Sequence, residues 1–405
     1  MRGDLEDAFA RVEDEQVSLV DVCRGLVQIP SFSGREGDLA AFISKRLKQC
    51  GLDRIWVDEL GDVIGLIRGT EDRSNVVFDG HMDVVPTGDR ANWRFDPFGA
   101  EVADGAVWGR GASDMKGSIA SMLKAVEILT RKQLKPPSDV YLVFVVHEET
   151  QEGMGIQNAI EKEIPRPSLV ILGEATRLNL AIGHKGRAEI EVKTKGKTSH
   201  GSMPGLGENA VYKMTPVVNQ IERLNEGLSR HPFLGKSTIA LTKISCEPGE
   251  GPIIPDICRV TLDRRIILGE SEEAILSEVR EIARPQGAEI AIIEEDLASY
   301  TGKKKRVRKY FHPWLLSPDS PVVETARHTL ESSLKRTVQK IAWTFSTDGA
   351  YTAGEALIPT IGFGAGDERL AHTPDDHVEI RELVESCKGY IALMTADWVG
   401  TLTKS

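Results

Sequence analysis

Cysteine is scarce in this chain and carries no pairing pattern. Cys23, Cys50, Cys246, Cys258 and Cys387 are odd in number, scattered and without a CxxC spacing. That excludes a disulfide-stapled secreted scaffold, and a reducing cytoplasm is the expected compartment. The N-terminus, MRGDLEDAFARVEDEQ, is acidic and lacks the basic start and apolar run of a secretory signal. No apolar stretch approaches the roughly 18 residues needed to span a bilayer, so no membrane role is expected. Basic residues are outnumbered: the formal net charge is -11, and general nucleic-acid binding depends on an excess of Lys and Arg facing phosphates. Tandem repeats and low-complexity tracts are also lacking.

What remains is a globular composition, 40% hydrophobic and 27% charged, in 405 residues. That length suggests two domains rather than one core. Up to residue 182 strands alternate with helices. Leu39, Phe42, Ile43 and Leu47 predict a helix over 38–50 stopped by Gly51, and Ile119, Met122, Leu123, Val126 and Leu129 predict another over 117–132. Such alternation predicts an α/β fold with a mainly parallel, helix-covered sheet. From 183 to 295 the order changes to strand 187–194, helix 208–226, strands 237–244 and 257–265, helix 271–283 and strand 288–294. This βαββαβ order is a ferredoxin-like unit inserted into a catalytic domain made of 1–182 and 296–405. Helices over 322–334 and 381–398 complete the second part. The basic run 303–309 reads as a solvated strip, or alternatively as a loop drawing in an anionic substrate.

The chemistry lies at strand ends. Val76-Val77-Phe78 delivers His81-Met82-Asp83, the 140–146 run delivers His147-Glu148-Glu149-Thr150, and 169–172 delivers Gly173-Glu174. Functional groups of open α/β sheets gather where strands end. Two divalent ions need a shared carboxylate flanked by histidines and carboxylates, and His81, Asp114, Glu149, Glu174 and His372 supply that set. Asp114, between glycines in Gly109-Arg110-Gly111-Ala112-Ser113-Asp114-Met115-Lys116-Gly117, is the expected bridge; a helix N-cap is its plainer role. The same stretch matches neither phosphate-binding glycine pattern. Adjacent strand-end glutamates point in different directions, so Glu149 is assigned to metal and Glu148 to general base; a solvated acidic turn with Glu152 is the alternative. Asp83 is expected to orient the His81 ring through its second nitrogen, or merely to form a turn before Pro86. His372 sits in a glycine-rich loop that can approach a cleft closely.

These motifs, with His81-Met82-Asp83-Val84-Val85-Pro86 and Gly173-Glu174-Ala175, resemble the ArgE/DapE/carboxypeptidase-G family of dizinc amidohydrolases over nearly the whole chain. Trp343-Thr344-Phe345-Ser346-Thr347-Asp348-Gly349, Tyr310-Phe311-His312-Pro313-Trp314 and Asp263-Arg264-Arg265 look most like its YgeY-type selenium metabolism hydrolase branch. The resemblance implies His81 and Glu174 on one zinc, Glu149 and His372 on the other, and a cis peptide at Asp114-Met115. It makes the insertion a lid and dimerisation domain, with His200, in Thr198-Ser199-His200-Gly201-Ser202, stabilising the oxyanion from the partner subunit. Arg265 would grip a substrate carboxylate, unless it merely pairs with Asp263. Pro252 stands where many members carry Asn, so that a substrate contact is either missing or replaced. The expected activity is hydrolysis of an N-acyl or peptide bond in a small amino-acid-like carboxylate, with two Zn2+, or Co2+ or Mn2+ in their place. Carbamoyl or ureido hydrolysis, dipeptidase or carboxypeptidase action, and a non-catalytic metal-stabilised binding protein are the alternatives.

Overall fold

Three short apolar stretches form the centre of the larger sheet. Asn75–His81, Asp139–Val145 and Leu169–Leu172 are buried along nearly their whole length, as strands covered on both faces must be. Asn75–His81 lies between the other two and parallel to both, with His81 opposite Val145 and Asp79 opposite Leu172. Thr360–Gly362 extends the parallel set beside Leu169–Leu172. Four C-terminal ends therefore open onto one edge. The computed structural model describes residues 2–71 and 74–402.

The α/β class is as expected, with the parallel pairing concentrated at the centre. Arg54–Val57 and Val63–Ile67 flank one side antiparallel, while Leu180–His184 and Trp314–Leu315 flank the other. The 58–62 turn is too short for the crossover that parallel pairing requires. Gly37–Cys50 ends at Gly51 in the left-handed region, φ 73°, the helix stop that its glycine predicts. Gly117–Arg131, Pro321–Leu334 and Ile380–Met394 form close to the predicted ranges. Two further helices, Arg2–Asp14 and Gln16–Val27, pack against Gly117–Arg131 and Ile380–Met394.

The second sheet has the strand order Thr238–Glu247, Ile257–Ile266, Gly186–Lys195, Glu289–Ile292, antiparallel throughout. Burial alternates strictly along Gly186–Lys195 and Ile257–Ile266, so one face packs Ile190, Val192, Val260 and Leu262 against helices Ala210–Gly227 and Glu272–Ala283. Asn209 and Ser271 cap those helices by accepting from Val211 N and Ala274 N. Tyr310–Phe311, beyond 295, returns to this sheet with Phe311 opposite Arg187. The basic run is a paired strand rather than a free loop: Lys304–Arg308 lies against Glu294–Ala298. Its cations meet acids, Lys303 with Glu59 at 2.7 Å, Arg308 with Glu272 at 2.5 Å and Lys309 with Glu295 at 2.6 Å.

Candidate metal centre and active site

The level strand ends deliver the acidic and imidazole groups to one place. His81 ends its strand, Glu148 and Glu149 follow Asp139–Val145, Glu174 follows Leu169–Leu172, and the loop after Thr360–Gly362 carries His372. Asp114 arrives from the 112–116 turn that precedes helix Gly117–Arg131, and its peptide bond to Met115 is cis. Asp376 anchors that turn, accepting from Gly111 N at 2.7 Å, Ser113 N at 2.9 Å and Arg110 Nη1 at 3.0 Å.

Asp114 divides its two oxygens between the two histidines. His81 Nε2 is 2.9 Å from Oδ1 and 3.7 Å from Glu174 Oε1. His372 Nε2 is 3.4 Å from Oδ2 and 2.9 Å from Glu149 Oε2. Each half pairs one imidazole with one glutamate, and the aspartate joins the halves. His81 Nδ1 lies 2.9 Å from the Asp83 carbonyl oxygen; a carbonyl only accepts, so Nδ1 carries a proton, and Nε2, facing the acids, is the nitrogen left to serve as a metal ligand. His147 and His372 hold left-handed backbones at φ 61° and 63°, conformations that non-glycine residues keep where surrounding structure enforces them.

The Asp83 carboxylate stands 3.7 Å from His81 Nδ1, and it accepts from Glu148 N at 3.0 Å, Glu149 N at 3.2 Å and Ser33 Oγ at 2.6 Å. Its backbone holds the imidazole while its side chain aims the two glutamates. Asp83→Ala leaves these donors without a partner in a fully buried position, and a loss of about 2–4 kcal/mol in unfolding free energy is expected from denaturant titration.

Electrostatically the cluster calls for cations. Burial raises Glu148 and Glu174 well above the carboxylate range, with neighbouring acids adding to the effect. Burial and Asp114 push Glu149 up to about 7. Burial opposes charge on His81, yet Asp114, Glu174 and Glu148 hold its pKa well above the ordinary value. Hydrogen bonds to Asp114 and Glu149 raise His372 to about 10. Glu148 Oε1 is buried without a hydrogen-bond partner. Ligand atoms of His81, Glu148 and Glu174, and of His81, Asp114 and Glu149, lie within 4.8 Å of one another. Mixed imidazole and carboxylate donors at this density fit divalent ions of the zinc, cobalt or manganese type.

Asp114, Glu148, Glu149, Glu174 and His372 line a cavity of about 220 Å3 together with Glu152, Arg187, Arg265, Phe345 and Ser346. Larger grooves of about 750 and 1140 Å3 elsewhere lack the ligand set. Arg265 reaches the cavity while also paired with Asp263, Nε to Oδ1 at 2.7 Å. His200 does not line it; His200 is exposed, its Nδ1 accepting from Ser202 N at 3.1 Å. Sequence reasoning missed Arg187 and Ser346, whose Oγ is buried and unpartnered. It also missed a carboxyl pair beneath His81. There burial, with Asp348 beside it, raises Asp79 well above the carboxylate range, while Gly153 N donates to Asp348 at 2.5 Å. The available signal was an aspartate inside an otherwise apolar strand, Val76-Val77-Phe78-Asp79.

The chain matches peptidase family M20/M25/M40 over residues 77–396. It is 32% identical over 393 residues to the uncharacterized protein YgeY of Escherichia coli (strain K12), covering 96% of this chain and 97% of that one. A succinyl-diaminopimelate desuccinylase of Cereibacter sphaeroides is 26% identical, with 88% and 93% covered. The fold superposes on a di-peptidase of Saccharomyces cerevisiae with a TM-score of 0.76 at 15% identity, covering 100% of both chains. With the family matched over most of its length, the chain belongs to peptidase family M20/M25/M40 and is a metal-dependent hydrolase of amide or peptide bonds.

Proposed function

We propose that the protein is a dinuclear zinc amidohydrolase that cleaves an N-acyl or peptide amide of a small amino-acid-like carboxylate. The carrying observation is the division of Asp114, one oxygen toward His81 and Glu174, the other toward His372 and Glu149. Bound divalent ions supply an activated water and polarise the scissile carbonyl. Glu148, buried beside the cluster with an unpartnered oxygen, takes the proton of the attacking water and returns it to the departing amine. Arg265 holds a substrate carboxylate through the guanidinium edge that faces away from Asp263. The Ser346 hydroxyl offers a further contact to substrate.

The 183–295 segment serves as lid and dimerisation domain between the catalytic parts 1–182 and 296–405. The dimer places His200 of each subunit against the other's substrate carbonyl, which accounts for its exposure in the single chain. Closure of the lid excludes bulk water. Free cysteines throughout suit a cytoplasmic setting.

Elemental analysis of purified protein, paired with hydrolysis of acetyl, succinyl, carbamoyl and dipeptide substrates, tests this reading. About two metals per chain with turnover of one acyl class is expected. Absence of metal after reconstitution would falsify the dinuclear centre; preference for carbamoyl or dipeptide substrates would redirect the substrate assignment.

A further inference from the structure

The part of the cavity lined by Glu152, Arg187 and Arg265 has a charge arrangement that composition does not reveal. Arg187 and Arg265 are register partners on adjacent antiparallel strands, and so are Glu189 and Asp263. Like charges directly opposite one another are unfavourable, and the structure offsets this along each strand. Arg187 lies 3.1 Å from Glu189, and Arg265 Nε lies 2.7 Å from Asp263. A third acid joins them: Glu152, in the turn that bears Glu148 and Glu149, meets Arg187 Nη2 at 2.8 Å. Glu152, Arg187 and Arg265 all line the cavity.

Three acids thus face two arginines. A substrate bringing only a carboxylate to this part would add a fourth anion; one bringing a carboxylate and an ammonium together adds no net charge. The donors and acceptors match the second case. Arg265 uses Nε and Nη2 on Asp263, leaving the Nη1 side of its planar fork for a carboxylate. Glu152 commits one oxygen to Arg187, and a carboxylate has about four acceptor positions, so it retains capacity for an ammonium. The Glu152 side chain is only 8% exposed, which strengthens that interaction.

Resting on the hydrolase reading above, we propose that this part binds the free zwitterionic head group of an α-amino acid, Arg265 taking its carboxylate and Glu152 its ammonium. The scissile amide is then on the side-chain nitrogen of a diamino acid rather than on its α-nitrogen. Arg187 is a positioning residue that holds Glu152 in place, and Asp263 does the same for Arg265.

The test is calorimetric binding to zinc-loaded protein carrying Glu148→Gln, so that ligands are not consumed. Nδ-acetyl-ornithine and Nε-acetyl-lysine are each compared with the Nα-acetyl isomer and with the analogue lacking the α-amino group. At least one ω-acetyl compound binds about tenfold or more tightly than both of its comparators, the worth of one charge-assisted hydrogen bond. Glu152→Gln added to this background removes the advantage over the desamino analogue. Equal affinities, tighter Nα-acetyl binding or no binding by any of the ligands overturns the proposal. Should Glu152→Gln fail to fold, the ligand comparison decides alone. Failure of the hydrolase reading shows separately: the wild type then binds with the expected preference and cleaves no amide.

Discussion

Glu148→Gln retains both metals and loses about three orders of magnitude in kcat, within the range a positioned acid–base group contributes. The substitution preserves shape and the backbone hydrogen bond from Glu148 N to Asp83 but removes the group that accepts a proton. Glu149→Gln behaves differently, because Glu149 lies 2.9 Å from His372 on one side of the Asp114 bridge; it loses metal as well as activity. Metal content and steady-state kinetics on the two variants separate the roles. Equal metal loss in both would place Glu148 among the ligands, a real alternative because its oxygen clusters with His81 and Glu174. Full activity in Glu148→Gln would remove it from the chemistry.

Metal removal has the second large effect, on stability and on protons together. The apoprotein buries several carboxyls and the His81 imidazole against one another. Ions binding only the folded state stabilise it by roughly 4 kcal/mol when free metal exceeds Kd about 1,000-fold. Chelation therefore lowers the unfolding temperature, and zinc restores it. The proton sign follows from the shifts: His372 is held at about 10 and Glu149 at about 7, so both carry protons in mildly acidic apoprotein. Metal ligands must be unprotonated. Zinc loading then releases protons, and apparent affinity falls as pH drops below about 10 and more steeply below about 7. Calorimetry in buffers of different ionisation enthalpy measures the release; loading at acid pH without any release would contradict this account of the cluster.

Much of the site was legible because parallel strands end level. Apolar runs before His81, Glu148-Glu149 and Glu174 marked strands, and the register that sets His81 opposite Val145 places these residues together without further information. The element order of the inserted segment was legible because period-two and helical spacings alternate cleanly from Arg187 to Ile292. Other features depend on what the chain does after it folds. Whether the Asp83 carboxylate or its carbonyl faces His81 is decided by the turn after the strand, and residue type is silent on that. Arg187, Glu152 and Ser346 converge from three distant segments, so no local spacing announces them. Strand direction at the flanks escaped because Arg54–Val57 and Trp314–Leu315 are too short to reveal it. The first two helices begin in a strongly polar segment, where the apolar stripe is faint until its partners are known.

The pairing of Phe311 with Arg187 bears on how such a chain tolerates change. The segment between them leaves and returns at neighbouring points; its last part packs on the main domain, Tyr300 Oη donating to Gly61 O at 3.0 Å and Val307 entering the main core, and the part before that, ending at Ile292 beside Ile190, is close to a closed loop. The entropy of closing a flexible loop grows only logarithmically, about 0.6 kcal/mol for each doubling of length. Residues can be gained or lost inside it at little expense to the parallel sheet that holds the ligands. Diversification of the cover is thereby uncoupled from the stability of the floor, and substrate range can drift while the reaction centre stays fixed.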